Sequence, residues 1–281
     1  MSLCDLTVVL VVFNSKHCIR ALVPFLKELP NLIIVDNASS DLSVEFIRQK
    51  VPNAKLIING VNLGFGAANN QAICVAQTPY VFLLNPDCEI AVETLFSFIK
   101  YAKIFPNAAI LAPQLLRSDG KKDLSYRWPK SYWGSRGVAA DGPACVGFAS
   151  GAALFLNLKN SKNLFFDESY FLYYEDDDLC QRVFEEKTQI IVIPEIKITH
   201  RLGGSVRYKK PFVANYYGGY YLTESHLKYV CQYIGNGEMR RLRIKYILIS
   251  VVQIIFFVIT LNFSKAVRFF GRLSAAAKTI I

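Results

Sequence analysis

Short hydrophobic runs alternate with amphipathic and polar stretches over roughly the first ninety residues of this chain. The first run, 6–13, is continuous and rich in β-branched residues, which is typical of a strand buried on both faces of a parallel sheet. Further strands are predicted at 31–35, 55–58 and 80–84. Helices are predicted between them, beginning near Ser15, after Asp41 and at Gly66. This alternation predicts an α/β fold with a doubly wound, mostly parallel sheet.

Polar clusters follow three of these predicted strands, at 36–41, 59–62 and 85–87. In doubly wound sheets, ligands bind beyond the carboxyl ends of the strands, so we expect the three clusters to face one cleft. The stretch 113–147 has an irregular pattern with Gly, Pro, Trp and basic residues. It predicts a long loop over that cleft.

The next part of the chain predicts more strands and one acidic helix start. Apolar runs indicate strands at 150–158, 190–193 and 196–199, and His200 follows the last of them. The aromatic run 170–174 leads directly into four carboxylates, at positions 175–178. We expect a helix to begin at these carboxylates because the apolar residues after them share one helical face.

The C-terminal part contains an uncharged apolar stretch, 246–263, with cations on both sides. The cations are Arg240, Arg241, Arg243 and Lys245 before it, and Lys265, Arg268 and Arg272 after it. Its length reaches the lower edge of what spans a bilayer. We interpret it as a helix lying in a membrane interface, and the alternatives are a single span or a helix buried against the rest of the protein. The expected domains are therefore an α/β domain at 1–215 and a helical, membrane-associating region at 216–281.

Charge and cysteine content limit the partners and the cellular compartment that we expect for this protein. The net charge of +10 is concentrated near the apolar tail, without an aromatic-studded patch, which favours a membrane surface over nucleic acid as the partner. Seven scattered cysteines without a C-x-x-C pair argue against a disulfide framework or a zinc site and favour a reducing cytosol. The N-terminal run has no basic segment before it, so we expect a buried strand there and no signal peptide.

Three motifs can carry chemistry. Asp87 ends a polar cluster after a strand, and with the carbonyl of Asn85 it could bind Mg²⁺ or Mn²⁺; a simple Pro-Asp turn is the alternative. The acids at 175–178 could be catalytic or could merely cap a helix. His200 precedes Gly203-Gly204, whose backbone could approach a phosphate, although a structural histidine fits equally well. The pattern Gly64-Phe65-Gly66 leaves nicotinamide binding as a further alternative, but it follows the third strand and lacks the third glycine.

Six segments, in order, resemble the family 2 glycosyltransferases of the GT-A fold, and in particular bacterial rhamnosyltransferase-like members. They are Val35–Asp41, Asn62–Asn70, Leu84–Asp87, Ser150–Ala153, Phe166–Glu168 with Tyr173–Cys180, and His200 with Gly203–Ser205. The resemblance implies a nucleotide-sugar transferase fold with C-terminal membrane-associated helices. It also implies that Asp87 binds Mg²⁺ or Mn²⁺ with His200 near the metal or diphosphate, although Asn85 stands where a stricter motif has an acid.

The same resemblance implies the other site residues. Asp176 would be the general base, and Glu175 and Asp178 would shape the acceptor pocket. Nucleotide-sugar binding would involve Phe13, Asp36, Asn62, Gly64, Asn69 and Asn85.

The function that the resemblance implies is inverting transfer of a sugar, with rhamnose as the first candidate, from a nucleotide-diphosphate donor to a glycan or lipid-linked acceptor. It would take place at the cytoplasmic face of the inner membrane, in cell-surface polysaccharide synthesis. An inactive, membrane-bound nucleotide-sugar-binding protein is the alternative.

Overall fold

The structure is a computed structural model that describes residues 2–128, 138–161, 164–201 and 211–278. It divides into two compact units, each described separately below. The first comprises Met1–Glu168 and Asp176–Arg207, and the second comprises Ser169–Glu175 and Tyr208–Ile281. The predicted Gly203-Gly204-Ser205 segment lies outside the described residues.

The first half of the first unit is the predicted alternation of strands and helices. Four parallel strands are β1 (Leu6–Val12), β2 (Leu32–Asp36), β3 (Lys55–Ile58) and β4 (Tyr80–Leu84). The helices between them are α1 (Lys16–Lys27), α2 (Ser43–Lys50) and α3 (Phe65–Val75). Every residue of β2 and β4 is buried, as expected for strands covered on both faces. The predicted doubly wound arrangement is confirmed.

The second half of this unit extends the sheet. Its elements are β5 (Cys88–Glu89), α4 (Val92–Ile104), β6 (Ala108–Leu116), β7 (Lys122–Asp123), β8 (Tyr126–Arg127), β9 (Ala144–Cys145), β10 (Phe148–Ala149), β11 (Ala153–Asn157), α5 (Glu175–Glu185) and β12 (Gln189–His200). The strand order is β3-β2-β1-β4-β11-β6-β12-β5, with β7 beside β6, β9 beside β12, and β8 and β10 forming a separate pair. The strand β11 lies antiparallel to both β4 and β6.

Two details of the predicted pattern were wrong. The stretch predicted as a loop, 113–147, contains the end of β6 and the short strands β7, β8 and β9, while 129–137 lies outside the described residues. The two strands predicted at 190–193 and 196–199 are one strand, β12, whose register against β6 shifts between Ile193 and Lys197. A bulge at this shift accommodates Pro194, which cannot donate a ladder hydrogen bond.

Hydrophobic side chains fill both faces of the sheet. One face packs against α1, α2 and α4, and its centre is a set of aromatic rings in which Phe98 stacks on Phe155 with 5.8 Å between ring centroids. The other face packs against α3 and α5 through residues such as Ala68 and Leu179, which are both fully buried. The sheet is thus a rigid platform whose carboxyl-end loops carry the polar clusters.

Three helices form most of the second unit: α6 (Pro211–Tyr233), α7 (Asn236–Ile259) and α8 (Phe263–Ala277). Two glycines allow α6 and α8 to touch through their backbones. A Cβ atom added to Gly219 would lie 2.0 Å from the carbonyl oxygen of Arg268, and one added to Gly271 would lie 2.1 Å from that of Tyr216. Only glycine permits so close a crossing.

The helices α7 and α8 form an antiparallel hairpin. Phe257 stacks on Phe269 with ring centroids 5.7 Å apart, the guanidinium of Arg272 lies 4.5 Å from the ring centre of Tyr246, and Arg243 Nε donates to the Ala276 carbonyl at 2.7 Å. The most apolar 18-residue window of α7 has a mean hydropathy of 2.2 and is 6% buried. The helix is long and apolar enough to cross a membrane, and its low burial does not fit the alternative of a core helix.

Candidate active site

Asp36 is the last residue of β2, which lies between β1 and β3 in the sheet. It pairs in register with Val12 of β1 and Ile58 of β3. It is almost fully buried, and its Oδ2 atom accepts a 2.9 Å hydrogen bond from the backbone N–H of Ser39. Its Oδ1 atom is buried without a hydrogen-bond partner among the residues the structure describes. Since a buried carboxylate oxygen without a donor is costly, this atom suits a ligand that brings an N–H or O–H group.

The loops after β1 and β2 are tied to one another beside Asp36. The backbone N–H of Asn14 donates to Ser39 Oγ at 2.9 Å, and Asn14 Oδ1 accepts from the backbone N–H of Ser40 at 2.8 Å. Phe13, which follows β1 and is half-buried, lies in the same loop. The structure therefore brings Phe13 and Asp36 to one edge of the sheet.

An asparagine network shapes the start of α3. Asn62 Oδ1 accepts from Asn37 Nδ2 at 2.8 Å and from the backbone N–H of Gly64 at 2.9 Å. Gly64 has φ of 89°, a left-handed value that favours glycine, and the helix begins at the next residue. Buried Asn69 donates to the Phe65 carbonyl within the helix at 2.9 Å. Asn62, Gly64 and Asn69 thus fix the backbone of this turn.

Asn70 is a structural anchor to which the sequence analysis assigned no role. Its side chain donates to the Phe166 carbonyl at 2.9 Å and accepts from the Phe166 N–H at 2.8 Å, and it also donates to Glu168 Oε1 at 3.0 Å. The signal that could have found it is a second asparagine in a helix that otherwise buries small apolar residues. It holds the segment before the acidic run against α3.

The predicted metal ligands lie together. Asp87 and His200 are both buried, and His200 Nε2 lies 3.3 Å from Asp87 Oδ1. Their backbones are also joined, because the carbonyl of Asp87 accepts from the Arg201 N–H at 3.1 Å and β5 pairs with the end of β12. His200 Nδ1 has no hydrogen-bond partner among the described residues. A carboxylate beside an imidazole in a buried site fits a divalent cation.

Asn85 belongs to the same turn. Its backbone N–H donates to the Ala152 carbonyl at 2.8 Å, and its own carbonyl accepts from the Cys88 N–H at 3.1 Å. The turn after β4 is therefore fixed on both sides, to the residue before β11 and to β5. Asp87 is held on that turn.

Asp176 lies in the first turn of α5, and two backbone donors hold its carboxylate. Gly151 N–H donates to Oδ2 at 2.9 Å, and Asp177 N–H donates to Oδ1 at 3.0 Å. Desolvation raises the pKa of Asp176, whereas the Gly151 hydrogen bond, the charge of Arg127 and the Asp177 N–H lower it. An oriented carboxylate with a raised pKa has the properties of a general base.

Arg127 sets the charge beside this carboxylate. It forms an ion pair with Asp177, and its guanidinium carbon lies 3.8 Å from the ring centre of Phe148. Burial, followed by the charge of Asp176, raises the pKa of Asp177 to about 7, against the opposing effect of Arg127. Arg127 belongs to no motif in the sequence and lies fifty positions from Asp177, so nothing local indicates its role.

The two acids predicted to shape an acceptor pocket are both buried. Asp178 is completely buried, and Arg182 Nε donates to its Oδ2 at 2.9 Å, one helical turn further along α5. Arg182 also donates to the Phe165 carbonyl at 2.6 Å. Glu175 is the first residue of α5 and is 5% exposed. Asp178 therefore anchors α5 to the segment before it.

The candidate base and the candidate metal ligands are linked by one short stretch of backbone. Gly151 donates to Asp176, and the next residue, Ala152, accepts from Asn85 in the turn that carries Asp87. The acids predicted to converge from distant parts of the chain are thus connected through two adjacent residues. The arrangement offers a cation site and an oriented base at the same edge of the sheet.

Solved structures with the same fold include two that were determined with a bound nucleotide sugar. The mannosyltransferase PcManGT from Pyrobaculum calidifontis, solved with GDP-Man and Mn²⁺, superposes with a TM-score of 0.57 at 14% identity, over 81% of this chain and 64% of that one. S. aureus TarS 1–349, solved with UDP-GlcNAc, gives a TM-score of 0.53 at 16% identity, over 96% and 90% of the two chains. The fold is therefore the α/β GT-A fold.

One sequence relative is the N-acetylglucosaminyl-diphospho-decaprenol L-rhamnosyltransferase of Mycobacterium tuberculosis, which is 26% identical over 204 residues. The similarity covers 60% of this chain and 66% of the relative, just under two-thirds of its length. The model of the family described as glycosyl transferase family 2 matches residues 7–160. Because this match covers more than half of the 281 residues, the chain belongs to glycosyl transferase family 2.

Proposed function

We propose that this protein is an inverting glycosyltransferase that moves a sugar from a nucleotide-diphosphate donor to a hydroxyl of a lipid-linked glycan. The sugar we favour is L-rhamnose, because the mycobacterial relative is a rhamnosyltransferase that acts on a diphospho-decaprenol acceptor. Such a reaction belongs to cell-surface polysaccharide synthesis. The observation that carries the proposal is the connection between Asp176 and the Asp87 turn through Gly151 and Ala152.

Asp176 is the proposed base. An acceptor hydroxyl must lose its proton as its oxygen attacks the anomeric carbon, so a carboxylate has to stand beside that hydroxyl. The Gly151 and Asp177 N–H groups orient the carboxylate of Asp176, and its raised pKa makes it a better proton acceptor than an ordinary aspartate. The hydroxyl proton passes to Asp176, and attack from the face opposite the leaving group inverts the anomeric centre.

The donor's diphosphate would lie at the Asp87 edge of the site. We propose that Asp87 and His200 hold Mg²⁺ or Mn²⁺, and that a bound ion there stabilises the charge of the departing diphosphate. Support comes from the 3.3 Å contact between the two side chains and from the Mn²⁺ present in the mannosyltransferase of the same fold.

The nucleoside of the donor would bind at the β1 and β2 ends. The Oδ1 atom of Asp36, which has no hydrogen-bond partner within the described part of the chain, is suited to accept from a ribose hydroxyl or a base N–H. Phe13 offers an apolar surface in the adjacent loop after β1, and the Asn62 and Gly64 turn fixes the neighbouring backbone. Asn69 and Asn85 would act by holding the loops around the donor in place, and Glu175 and Asp178 by fixing the helix start that presents Asp176.

The second unit is proposed to hold the enzyme on the cytoplasmic face of the inner membrane. The most exposed apolar side chains of α7 include Leu248, Val252, Ile255 and Ile259, whose spacing places them on one side of the helix. Cations flank this surface and suit anionic lipid headgroups. We therefore keep 216–281 as the proposed membrane-associating region and 1–215 as the catalytic one.

The hairpin geometry favours a helix that lies in the interface over one that spans the bilayer. Since α8 runs back along α7, a spanning α7 would carry Arg268 and Arg272 of α8 into the hydrocarbon region. Charged side chains at that depth are costly. An interfacial hairpin leaves them among the headgroups.

The test is a transfer assay with nucleotide sugars, deoxythymidine-diphosphate rhamnose first, and an N-acetylglucosaminyl-diphospho-polyprenol acceptor. We expect product with the inverted anomeric configuration in the presence of Mn²⁺ or Mg²⁺. Asp176→Asn should fold normally and lose transfer by about 10²- to 10⁴-fold, the usual contribution of a general base. Asp119→Asn, at an exposed acid in the turn before β7, is the control and should transfer normally.

Two outcomes would count against the proposal. Full activity in Asp176→Asn would remove the base, and retention of the anomeric configuration would remove the single displacement. Transfer of another sugar would change the donor assignment alone.

A further inference from the structure

Cys88 lies beside the proposed cation site. Cys88 is 2% exposed, and it pairs directly with His200 across the antiparallel strands β5 and β12. One ligand atom from each of Asp87, Cys88 and His200 lies within 4.8 Å of the others. The described residues therefore place a carboxylate, an imidazole and a thiol around one buried point.

The surroundings of Cys88 differ from those of the other buried thiol that the structure describes. Cys180 is the other buried cysteine among the described residues, and its sulfur accepts from the backbone N–H of Ala149 at 3.4 Å and donates to the carbonyl of the same residue at 3.5 Å. The carboxylates of Asp176 and Asp177 also act on it electrostatically. Cys88 also donates to a carbonyl, that of Ala152 at 3.5 Å. It differs in having a carboxylate and an imidazole within ligand reach, and in that imidazole's Nδ1 being buried without a described partner.

We propose that Asp87, Cys88 and His200 form a site for a thiophilic divalent ion such as Zn²⁺, Cd²⁺ or Co²⁺. These ions accept mixed sulfur, nitrogen and oxygen ligand sets, whereas Mg²⁺ prefers oxygen alone and Mn²⁺ leans towards it. The thiol proton passes to solvent as the sulfur–metal bond forms, because the ligand is the thiolate.

This inference rests on the proposed function at one point only: the thiophilic ion and the proposed catalytic ion would bind at the same place. If both ions use Asp87 and His200, Zn²⁺ competes with Mn²⁺ and Mg²⁺ for the site. Zinc would then inhibit transfer, and cellular zinc would be a regulator of the enzyme. The binding itself does not depend on transfer, so it is measured without donor or acceptor.

The experiment titrates the full chain with Co²⁺ and records the near-ultraviolet absorption that marks a thiolate–cobalt bond. Wild type and Cys180→Ala should show the band, and Cys88→Ala should lack it. Competition with a chromophoric chelator then gives the Zn²⁺ affinity. Loss of an outer-shell partner costs about 10- to 100-fold in metal affinity, so loss of a direct ligand in Cys88→Ala should weaken Zn²⁺ binding at least that much.

The outcomes separate this proposal from the proposed function. Absence of the band in wild type, or an unchanged band and Zn²⁺ affinity in Cys88→Ala, overturns the thiolate site whether or not transfer occurs. A wild-type band with no transfer for any sugar supports the metal site and counts against the proposed function. If Cys88→Ala does not fold, the wild-type spectrum and its loss in His200→Ala decide the case.

Discussion

Gly151 donates its backbone N–H to Asp176 Oδ2 at 2.9 Å, and no larger residue fits easily at that position. A Cβ atom there would lie 3.3 Å from the ring edge of Phe65, 3.4 Å from Asp176 Cβ and 3.6 Å from its Oδ2. The glycine both orients the proposed base and leaves room for it.

Gly151→Ala should therefore displace the Asp176 carboxylate by a few tenths of an ångström while keeping the fold. A misplacement of 1 Å can cost about 10²-fold in rate, so we expect a loss of several-fold to about tenfold in kcat with little change in donor KM. Steady-state kinetics and a thermal melt measure the two effects. Gly142→Ala, where an added Cβ meets nothing within 4 Å, is the control. Normal kcat in Gly151→Ala would show that the base tolerates movement or lies elsewhere.

The pH dependence of transfer should report the charge of Arg127. The base is active when deprotonated, so kcat/KM should fall as the pH falls through the pKa of Asp176, which lies above the ordinary aspartate value. Arg127 lowers the pKa of both Asp176 and Asp177. Arg127→Gln should therefore move the acidic limb of the profile to higher pH and lower kcat/KM at acidic pH.

Arg127→Lys is the matched control, because it keeps the positive charge and should move the limb less. The two profiles should converge with that of wild type at alkaline pH, where the base is deprotonated in every variant. A uniform loss of activity at all pH values in Arg127→Gln would indicate a purely structural role. Thermal melts identify any variant that has lost stability through the unpaired Asp177.

Replacing each of two adjacent glycines in α6 by alanine should change the free energy of unfolding in opposite directions. Gly219→Ala would place a Cβ 2.0 Å from the Arg268 carbonyl and force α6 and α8 apart, at an expected cost of about 1–3 kcal/mol or more. Gly218→Ala meets only Tyr173 Oη, at 4.0 Å, and should be stabilised by up to about 1 kcal/mol through helix propensity. Denaturant unfolding of the two variants measures the difference. Equal stability would contradict the close backbone crossing.

Membrane binding should depend on the apolar side of α7. The double variant Val252→Glu with Ile255→Glu should bind anionic vesicles much more weakly than wild type, because both residues are more than half exposed. Val61→Glu, at a similarly exposed position in the first unit, is the control and should bind normally. Alkaline carbonate should extract the wild-type protein from membranes, as expected for an interfacial hairpin, and resistance to it would indicate a span.

The strands that were predicted well are those with an unambiguous local pattern. The runs at 55–58 and 80–84 coincide with β3 and β4, because turn residues on both sides end each run sharply. Every residue of β4 is buried, whereas β3, at the edge of the sheet, is only partly buried. The errors came from partners distant in sequence. Pro113 does not interrupt β6, since pairing with β11 and β12 on either side holds the strand in place.

The residue types of the candidate site could be predicted from the sequence, but most of the contacts between them could not. Residue type and position after a strand pointed to Asp36 and Asp87, and the aromatic run pointed to the acids of α5. Nothing local distinguishes Asp178, bound by Arg182, from Asp176, bound by backbone N–H groups. Arg127 and Cys88 become visible only when the fold has brought them to their partners.

The antiparallel direction of β11 determines how firmly Asp176 and the Asp87 turn are fixed in place. This strand sits between β4 and β6 in the middle of the sheet, and residues just before it bond to both the Asp87 turn and Asp176. A slip of one residue would swap the strand's two faces, so its pairing is locked by the packing on both sides. The amide protons of Gly151 and Asn85 should consequently exchange with solvent only when the whole unit opens, and heat should abolish turnover and melt the sheet in a single step.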